Sequence, residues 1–270
     1  MGLFNRVFRS HVNYLPTNNR LELIWKLAQV DFKKRFYNDK LGIFWALLNP
    51  LLTVSVYYLA FTFLINRGGA GIDNFALFLF SALIFWMEFV QTLKRGIKLI
   101  QQKSYLIENI QLNKLDLYLS LLVSSLLGFS FNLSAYFVFA AFFDISYGIE
   151  IFLLPLLVLN LYLLALGGGM IIAVAYIYLQ DIMHVIDIML LFGFWTSGIF
   201  FDPQVVLDLF PPAYYINPFL GIIENVRNII LYHRFLNYQI LWINLLEGLL
   251  IIVMGYQLLI RFSHLAIERK

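Results

Sequence analysis

Six stretches of the chain, 42–65, 75–93, 117–143, 151–179, 183–201 and 240–262, run on with almost no charge. A helix rises about 1.5 Å per residue, so roughly 20 apolar residues cross the ~30 Å hydrocarbon core of a bilayer, and this pattern predicts six transmembrane helices. The 1–41 region ahead of them has a different period. Leu21, Ile24, Trp25, Ala28 and Phe32 recur at helical spacing, while Glu22, Lys26, Gln29, Lys33 and Lys34 fall mostly elsewhere on the same helix. Asn19 with Glu22 three residues on reads as a capping box. The expected element is an amphipathic interfacial helix, its apolar face in lipid and its basic side among anionic headgroups. A small helix packed on a partner is the alternative.

Two connecting segments carry structure of their own. The stretch 98–113, KLIQQKSYLIENIQLN, is too polar to span, yet Leu99, Tyr105, Leu106 and Ile110 are more apolar than a solvated linker needs, so a short docking helix is expected there. The stretch 202–238 carries Pro203, Pro211, Pro212 and Pro218, and places Ile222, Ile223, Val226, Ile229 and Ile230 on one side of a helix with Glu224 and Arg227 three residues apart. It is too short and too polar to span singly, and re-entrant helices before the last span fit better, with protein or water satisfying their backbone. Within the spans, Ala165, Gly169 and Ala173 recur every four residues, as do Ser120, Ser124 and Gly128, a small-residue pattern for close helix packing. Gly167, Gly168 and Gly169 lack the Lys-Ser/Thr that follows a phosphate-binding loop. No internal repeat resembles two fused transporter halves, so dimerisation is the natural way to enclose a path.

Composition agrees. Hydrophobic residues make up 61% and charged residues 13%, with mean hydropathy +0.78, whereas a soluble domain is about half apolar and a quarter charged. The charge distribution then orients the spans. Eight of the nineteen Lys and Arg precede the first span, five lie between 94 and 114 and three follow Gln257; only Arg67, Arg227 and Arg234 fall in the opposite loops. Such a bias places the basic segments, and both termini, in the cytoplasm. It also explains the net charge of +3 without a nucleic-acid partner. No apolar signal region or cleavage site precedes the first span, so no cleaved signal peptide is expected. With no cysteine, disulfides, thiolate metal sites and cysteine nucleophiles are excluded.

Chemistry for catalysis is missing. There is no phosphate-binding loop, no H-E-x-x-H, no G-x-S-x-G and no carboxylate-rich metal loop, and His11, His184, His233 and His264 are scattered. Any energy must come from another chain. Glu88, Asp187 and Glu247 fall within predicted spans, where a charge is costly and faces protein or water. Glu88 and Asp187 stand near the basic end, within reach of water, Lys94 or Arg95, while Glu247 is deeper. Aromatics form 18% of the chain, and a substrate path along Tyr57, Phe61, Phe194, Trp195 and Glu247 is expected, although packing and interfacial belts account for most aromatics in such proteins.

The run DFKKRFYNDKLGIFWALLNPLL over 31–52, with Lys34, Arg35, Leu41, Gly42, Trp45 and Pro50, resembles the approach to the first span in the permeases of polysaccharide-exporting ABC transporters. So does the stretch from 179 to 227 through Asp181, Pro203, Asn217, Pro218 and Arg227, although Gln180 stands where Arg is usual, and no salt bridge is carried over there. The resemblance implies a single exporter transmembrane domain over 1–270 in the bacterial cytoplasmic membrane. It implies a homodimer bound to two cytoplasmic ATP-binding subunits that hold ATP and Mg, with no cofactor or metal on this chain. A gate helix would carry Trp25, Phe32, Lys34 and Arg35. Gln102, Tyr105 and Glu108 would couple to the ATPase, and Asn217, Pro218, Glu224 and Arg227 would shape the outer re-entrant loop. The substrate would be a lipid-linked glycan such as O-antigen, capsule or teichoic acid. Rival readings are an ABC permease for drugs or lipids, and an integral membrane enzyme acting on lipid-linked sugars, for which the loops offer few residues beyond Asp202, Asp208 and Glu224. An ion channel is disfavoured by the absence of a filter or charged ring.

Overall fold

The computed structural model describes residues 19–36, 42, 44–64, 74–110, 112–143, 145 and 147–262. The basic residues Arg6, Arg9, Lys40, Arg67, Arg269 and Lys270, the histidines His11 and His264, and the motif residue Leu41 lie outside them, as does the Glu108 side chain. Among the described residues the fold is all-helical. In chain order come α1 Arg20–Phe36, α2 Phe44–Leu59 closing in a π-turn Ala60–Leu64, α3 Phe75–Gln102, α4 Ser104–Ile110, α5 Lys114–Ala140, α6 Leu154–Tyr178, α7 Ile182–Thr196, α8 Gln204–Leu209, α9 Pro211–Ile216, α10 Pro218–Ile230 and α11 Tyr238–Phe262.

Four segments are long and apolar enough to cross a membrane: α3, the stretch Lys114–Phe143 containing α5, the stretch Ile149–Tyr178 containing α6, and α11. Two more apolar helices are shorter, Leu48–Phe63 within α2 and its π-turn, and α7. Pro50 sits inside α2, where it removes one backbone donor. The limits of the others depart from the hydropathy pattern in instructive ways. α3 does not stop near Leu93 but continues to Gln102, because no breaker intervenes until Lys103, whose N–H donates to the Leu99 carbonyl. At 28 residues it is about 42 Å long, more than the ~30 Å hydrocarbon layer requires. The 98–113 segment is therefore not one helix: its first part finishes α3, and α4 is a separate seven-residue helix anchored by buried Leu106. α7 ends at Thr196 rather than near Phe201, and 202–238 forms three short helices.

The centre of the molecule is α3 between α6, α5 and α2, with α11 laid along the far side of α6. Lipid tails are as apolar as leucine, so helix association here depends on close packing rather than on removing apolar surface from water. The small residues supply it. Ala165, Gly169, Ala173, Ser120, Ser124 and Gly128 are all buried. A Cβ at Gly169 would stand 3.2 Å from the Gly96 Cα of α3, and one at Gly167 would stand 2.7 Å from the Ile252 backbone of α11. The glycine triplet thus joins α6 to two neighbours at once.

α1 departs from the interfacial expectation. Leu23, Ile24, Leu27 and Ala28 are buried in the protein rather than facing lipid, and only Leu21 and Trp25 of the apolar set stand open. The helix runs alongside α5 in the same direction: Arg20 pairs with Asp116, Phe32 stacks on Phe131, and Arg35 lies over Gly128.

Candidate functional site

A buried polar lattice lies toward the basic end of the bundle. The Glu88 carboxylate on α3 is fully buried and accepts from Thr92 Oγ1 and from the Tyr162 hydroxyl of α6, each at 3.0 Å. The Arg35 guanidinium reaches in from α1, 3.9 Å from the other carboxylate oxygen, and donates to Gln91. Arg95 donates to Ser124 at 3.1 Å and Ser125 at 3.2 Å on α5, and the Ser125 hydroxyl in turn lies within hydrogen-bond distance of Thr92 Oγ1, at 3.2 Å. The small-residue row of α5 therefore does more than pack helices. Ser124 takes Arg95, and Gly128 leaves room for Arg35, since a Cβ there would stand 2.5 Å from its guanidinium. Burial pulls the Arg35 guanidinium down from its ordinary range, and the Glu88 carboxylate opposes that pull.

Glu88 accordingly finds its charge partner on α1, not in Lys94. Lys94 instead pairs with Asp187 of α7 at 2.6 Å, both half exposed. Farther along α1, Asp31 pairs with Lys103 at the end of α3, and Arg20 with Asp116 at the start of α5 at 2.6 Å. Three charged contacts thus fix α1 to the bundle along its whole length.

At the opposite end, α7 stops where its chain turns through Gly198, whose φ of 78° is the left-handed region that glycine enters at little cost. The carbonyls beyond the last helical turn would be orphaned there. Arg227 of α10, 1% exposed, donates to the carbonyls of Gly198 (2.8 Å), Ile199 (2.8 Å), Phe201 (3.1 Å) and Phe78 (3.3 Å), and its guanidinium carbon lies 3.3 Å from the Phe78 ring centroid. Asn217 caps α10 by accepting from the Phe219 N–H and reaches back to Ser197 and the Thr196 carbonyl. Pro218 opens α10. Pro203, Asn217, Pro218 and Arg227, read from the sequence as separate motif positions, thus form one unit that closes the break after α7. Glu224 does not pair with Arg227. It accepts from Tyr214, from Gln204 at 2.9 Å and from Asn237 at 3.3 Å, and burial with that carboxylate pushes the Tyr214 phenol up. A cavity of about 260 Å³ opens between α8, α10 and the chain that follows α10.

The aromatics of the expected path assemble in part. Tyr57 lies 5.5 Å from Phe194, Phe61 stacks on Phe200 at 4.8 Å, and Trp195 stacks on Phe200 at 5.0 Å. Glu247 stands apart on α11, whose neighbour is α6. On α4, Tyr105 is 36% exposed, and burial together with the Asp31 carboxylate pushes its phenol up. Gln102, the last residue of α3, is exposed. Of the lattice, Gln91, Thr92, Ser125 and Tyr162 were not singled out from the sequence. A polar side chain inside an apolar run was the signal available for each.

The model of the ABC-2 type transporter family matches residues 22–231. The chain belongs to that family. As an ABC-2 type transporter it is a multi-pass membrane subunit rather than an enzyme, and its family implies an ATP-binding partner. The matched region reaches from α1 to the end of α10 and takes in both polar clusters. Among similar proteins, the O-antigen export system permease protein RfbA of Myxococcus xanthus is 24% identical over 214 residues, covering 78% of this chain and 81% of its own. A protein of the same description from Klebsiella pneumoniae is 20% identical over 235 residues, covering 87% and 89%.

Proposed function

We propose that this chain is the permease subunit of an ATP-driven exporter that moves a lipid-linked polysaccharide, O-antigen or a related capsule or teichoic acid polymer, across the bacterial cytoplasmic membrane. The observation that carries the reading is likeness along most of the chain to permeases described as O-antigen exporters. In this reading all six apolar helices span, α8 to α10 re-enter from the outer side, and the basic end and both termini face the cytoplasm, as the placement of sixteen of the nineteen Lys and Arg supports. Two copies flank the path, and two separate subunits hold ATP and Mg. α4 with Gln102, Tyr105 and Glu108 docks on them. Trp25, Phe32, Lys34 and Arg35 of α1 form the gate beside the lipid entrance, so that motion of α4 reaches α1 through Lys103 and Asp31. Tyr57, Phe61, Phe194 and Trp195 offer the glycan broad, weakly directional faces.

The test is to delete the gene in its native host and measure surface polysaccharide alongside lipid-linked polymer retained inside. Loss at the surface with accumulation inside supports export. Normal surface glycan overturns the reading in favour of a drug or lipid substrate, and absence of polymer everywhere favours an enzyme of lipid-linked sugars.

A further inference from the structure

The cavity beside α10 is a built site rather than a packing gap. Its loop wall is folded back by a reciprocal pair, the Asn237 N–H to Asn225 Oδ1 at 2.6 Å and Asn225 Nδ2 to the Asn237 carbonyl at 3.4 Å. The Arg234 N–H donates to the Asn228 carbonyl at 2.7 Å, and Leu236 is buried as an anchor. His233 holds a φ of 51°, a left-handed turn uncommon outside glycine though less so for histidine. The floor is formed by Glu224 and Arg227, both more than nine-tenths buried. Every Nη donor bond of Arg227 is spent on carbonyls, yet its Nε has no partner among the described residues, and a buried donor left so costs about 1–3 kcal/mol.

The lining chemistry limits what would fill it. Asp202 and Glu224 balance Arg227 and Arg234, so neither an anion nor a cation is favoured by net charge. The remaining polar lining is Gln204, Asn228, Tyr232 and Asn237; the Gln204 and Asn237 amides each give one N–H to Glu224, and a planar amide carries a second N–H and a carbonyl oxygen, the donor and acceptor that hydroxyl-bearing ligands require. Phe235, 59% exposed at the rim, offers a flat apolar face. The volume, about 260 Å³, falls just below the ~300–1,000 Å³ of ordinary small-molecule sites, which suits one ring rather than an oligosaccharide.

We infer that this cavity binds a single neutral sugar ring, held by Glu224, Arg227, Gln204 and Asn237 beneath Phe235, where a passing glycan leaves the protein. The placement at an exit rests on the export reading above; the binding itself does not.

The experiment uses the full chain in lipid nanodiscs, with saturation-transfer NMR on methyl α-D-mannopyranoside, methyl β-D-galactopyranoside and methyl α-L-rhamnopyranoside. At least one glycoside receives saturation, and the Gln204→Ala/Phe235→Ala double variant, altered at two exposed rim positions, lowers its affinity roughly tenfold, the scale of ~1.4 kcal/mol for a lost anchoring contact. Asp208→Ala, on α8 but outside the cavity, leaves it unchanged. No transfer to any of the three, equal transfer in the double variant, or displacement of the glycoside by inorganic phosphate at millimolar concentration would each overturn the proposal. Gene deletion separates the two readings: retained polymer without glycoside binding sinks the subsite alone, and glycoside binding with unaltered surface polysaccharide sinks export alone.

Discussion

Arg227 shows how much one side chain can hold in a membrane protein. Its two Nη atoms satisfy four backbone carbonyls from the end of α7 and from α3, groups that lipid cannot hydrate. Arg227→Ala takes the side-chain donor from the Gly198, Ile199 and Phe201 carbonyls, at about 1–3 kcal/mol each, while the Phe78 carbonyl keeps the Ser81 hydroxyl. A large fall in the thermal midpoint of the detergent-solubilised protein is the expected result. Arg227→Lys should rescue little, because an ammonium has three donors on one atom and cannot reach carbonyls on both sides as a planar fork does. Retention of the wild-type midpoint by the lysine variant would show that charge rather than geometry matters. Glu88 poses the opposite case, a carboxylate with Thr92, Tyr162 and Arg35 around it. Removing one member of a buried charged pair costs about 3–5 kcal/mol, so Glu88→Leu and Arg35→Met should each destabilise the protein. The double variant should do less harm than the sum, with a coupling of about 0.5–3 kcal/mol in chemical denaturation. Strict additivity would show that the 3.9 Å approach carries no energy.

Among the elements, α1 is held to the bundle by contacts of unequal worth. Arg20 is 57% exposed on its side chain, whereas Asp31 and Lys103 are 13% and 14% exposed. An exposed ion pair contributes about 0–1 kcal/mol, so Arg20→Ala should barely change amide hydrogen exchange in 20–36. Asp31→Asn should speed it several-fold, and equal effects would contradict the ranking by burial. The same scale explains what was legible in the sequence. Each of the six apolar stretches contains a helix because backbone in lipid must satisfy itself, so hydropathy reads the elements directly. Their ends are less legible: α3 extends beyond Leu93 because nothing stops it, and α7 stops early because an arginine 31 positions after Thr196 donates to the loose carbonyls just beyond the helix. The apolar face of α1 was visible as a pattern, but a pattern cannot say whether protein or lipid covers it. Likewise Arg35 is 53 residues before Glu88 and Tyr162 is 74 after it, a distance at which local spacing carries no information. The glycine triplet offers a finer test. A Cβ at Gly167 meets fixed backbone of Ile252 at 2.7 Å, whereas one at Gly168 meets only the mobile tip of Leu93 at 3.1 Å. Gly167→Ala should therefore cost about 1–3 kcal/mol as overpacking, and Gly168→Ala clearly less, in matched thermal unfolding.

For the molecule as a whole, the open faces of the outlying helices differ in kind. Between Leu246 and Met254, the exposed positions of α11 are Leu246, Leu249, Leu250, Val253 and Met254, all apolar. α2 is different, since it exposes Asn49 and Ser55 together with Leu52, Val56, Tyr58 and Leu59. The Ser55 hydroxyl is satisfied by the Leu51 carbonyl, but an asparagine side chain turned to lipid is costly. The face of α11 therefore suits lipid, and the face of α2 suits a second copy of the chain or the aqueous path between two copies. The absence of native cysteine makes this directly testable in intact membranes. Leu59→Cys on α2 should give a disulfide-linked dimer on mild oxidation with copper phenanthroline, because isologous contact brings identical positions near the two-fold axis together. Leu250→Cys on α11 should stay monomeric under the same conditions. Dimer from Leu250→Cys alone would place the subunit contact on the α11 side, and the aromatic group of Tyr57, Phe61, Phe194 and Trp195 would then face lipid rather than the path.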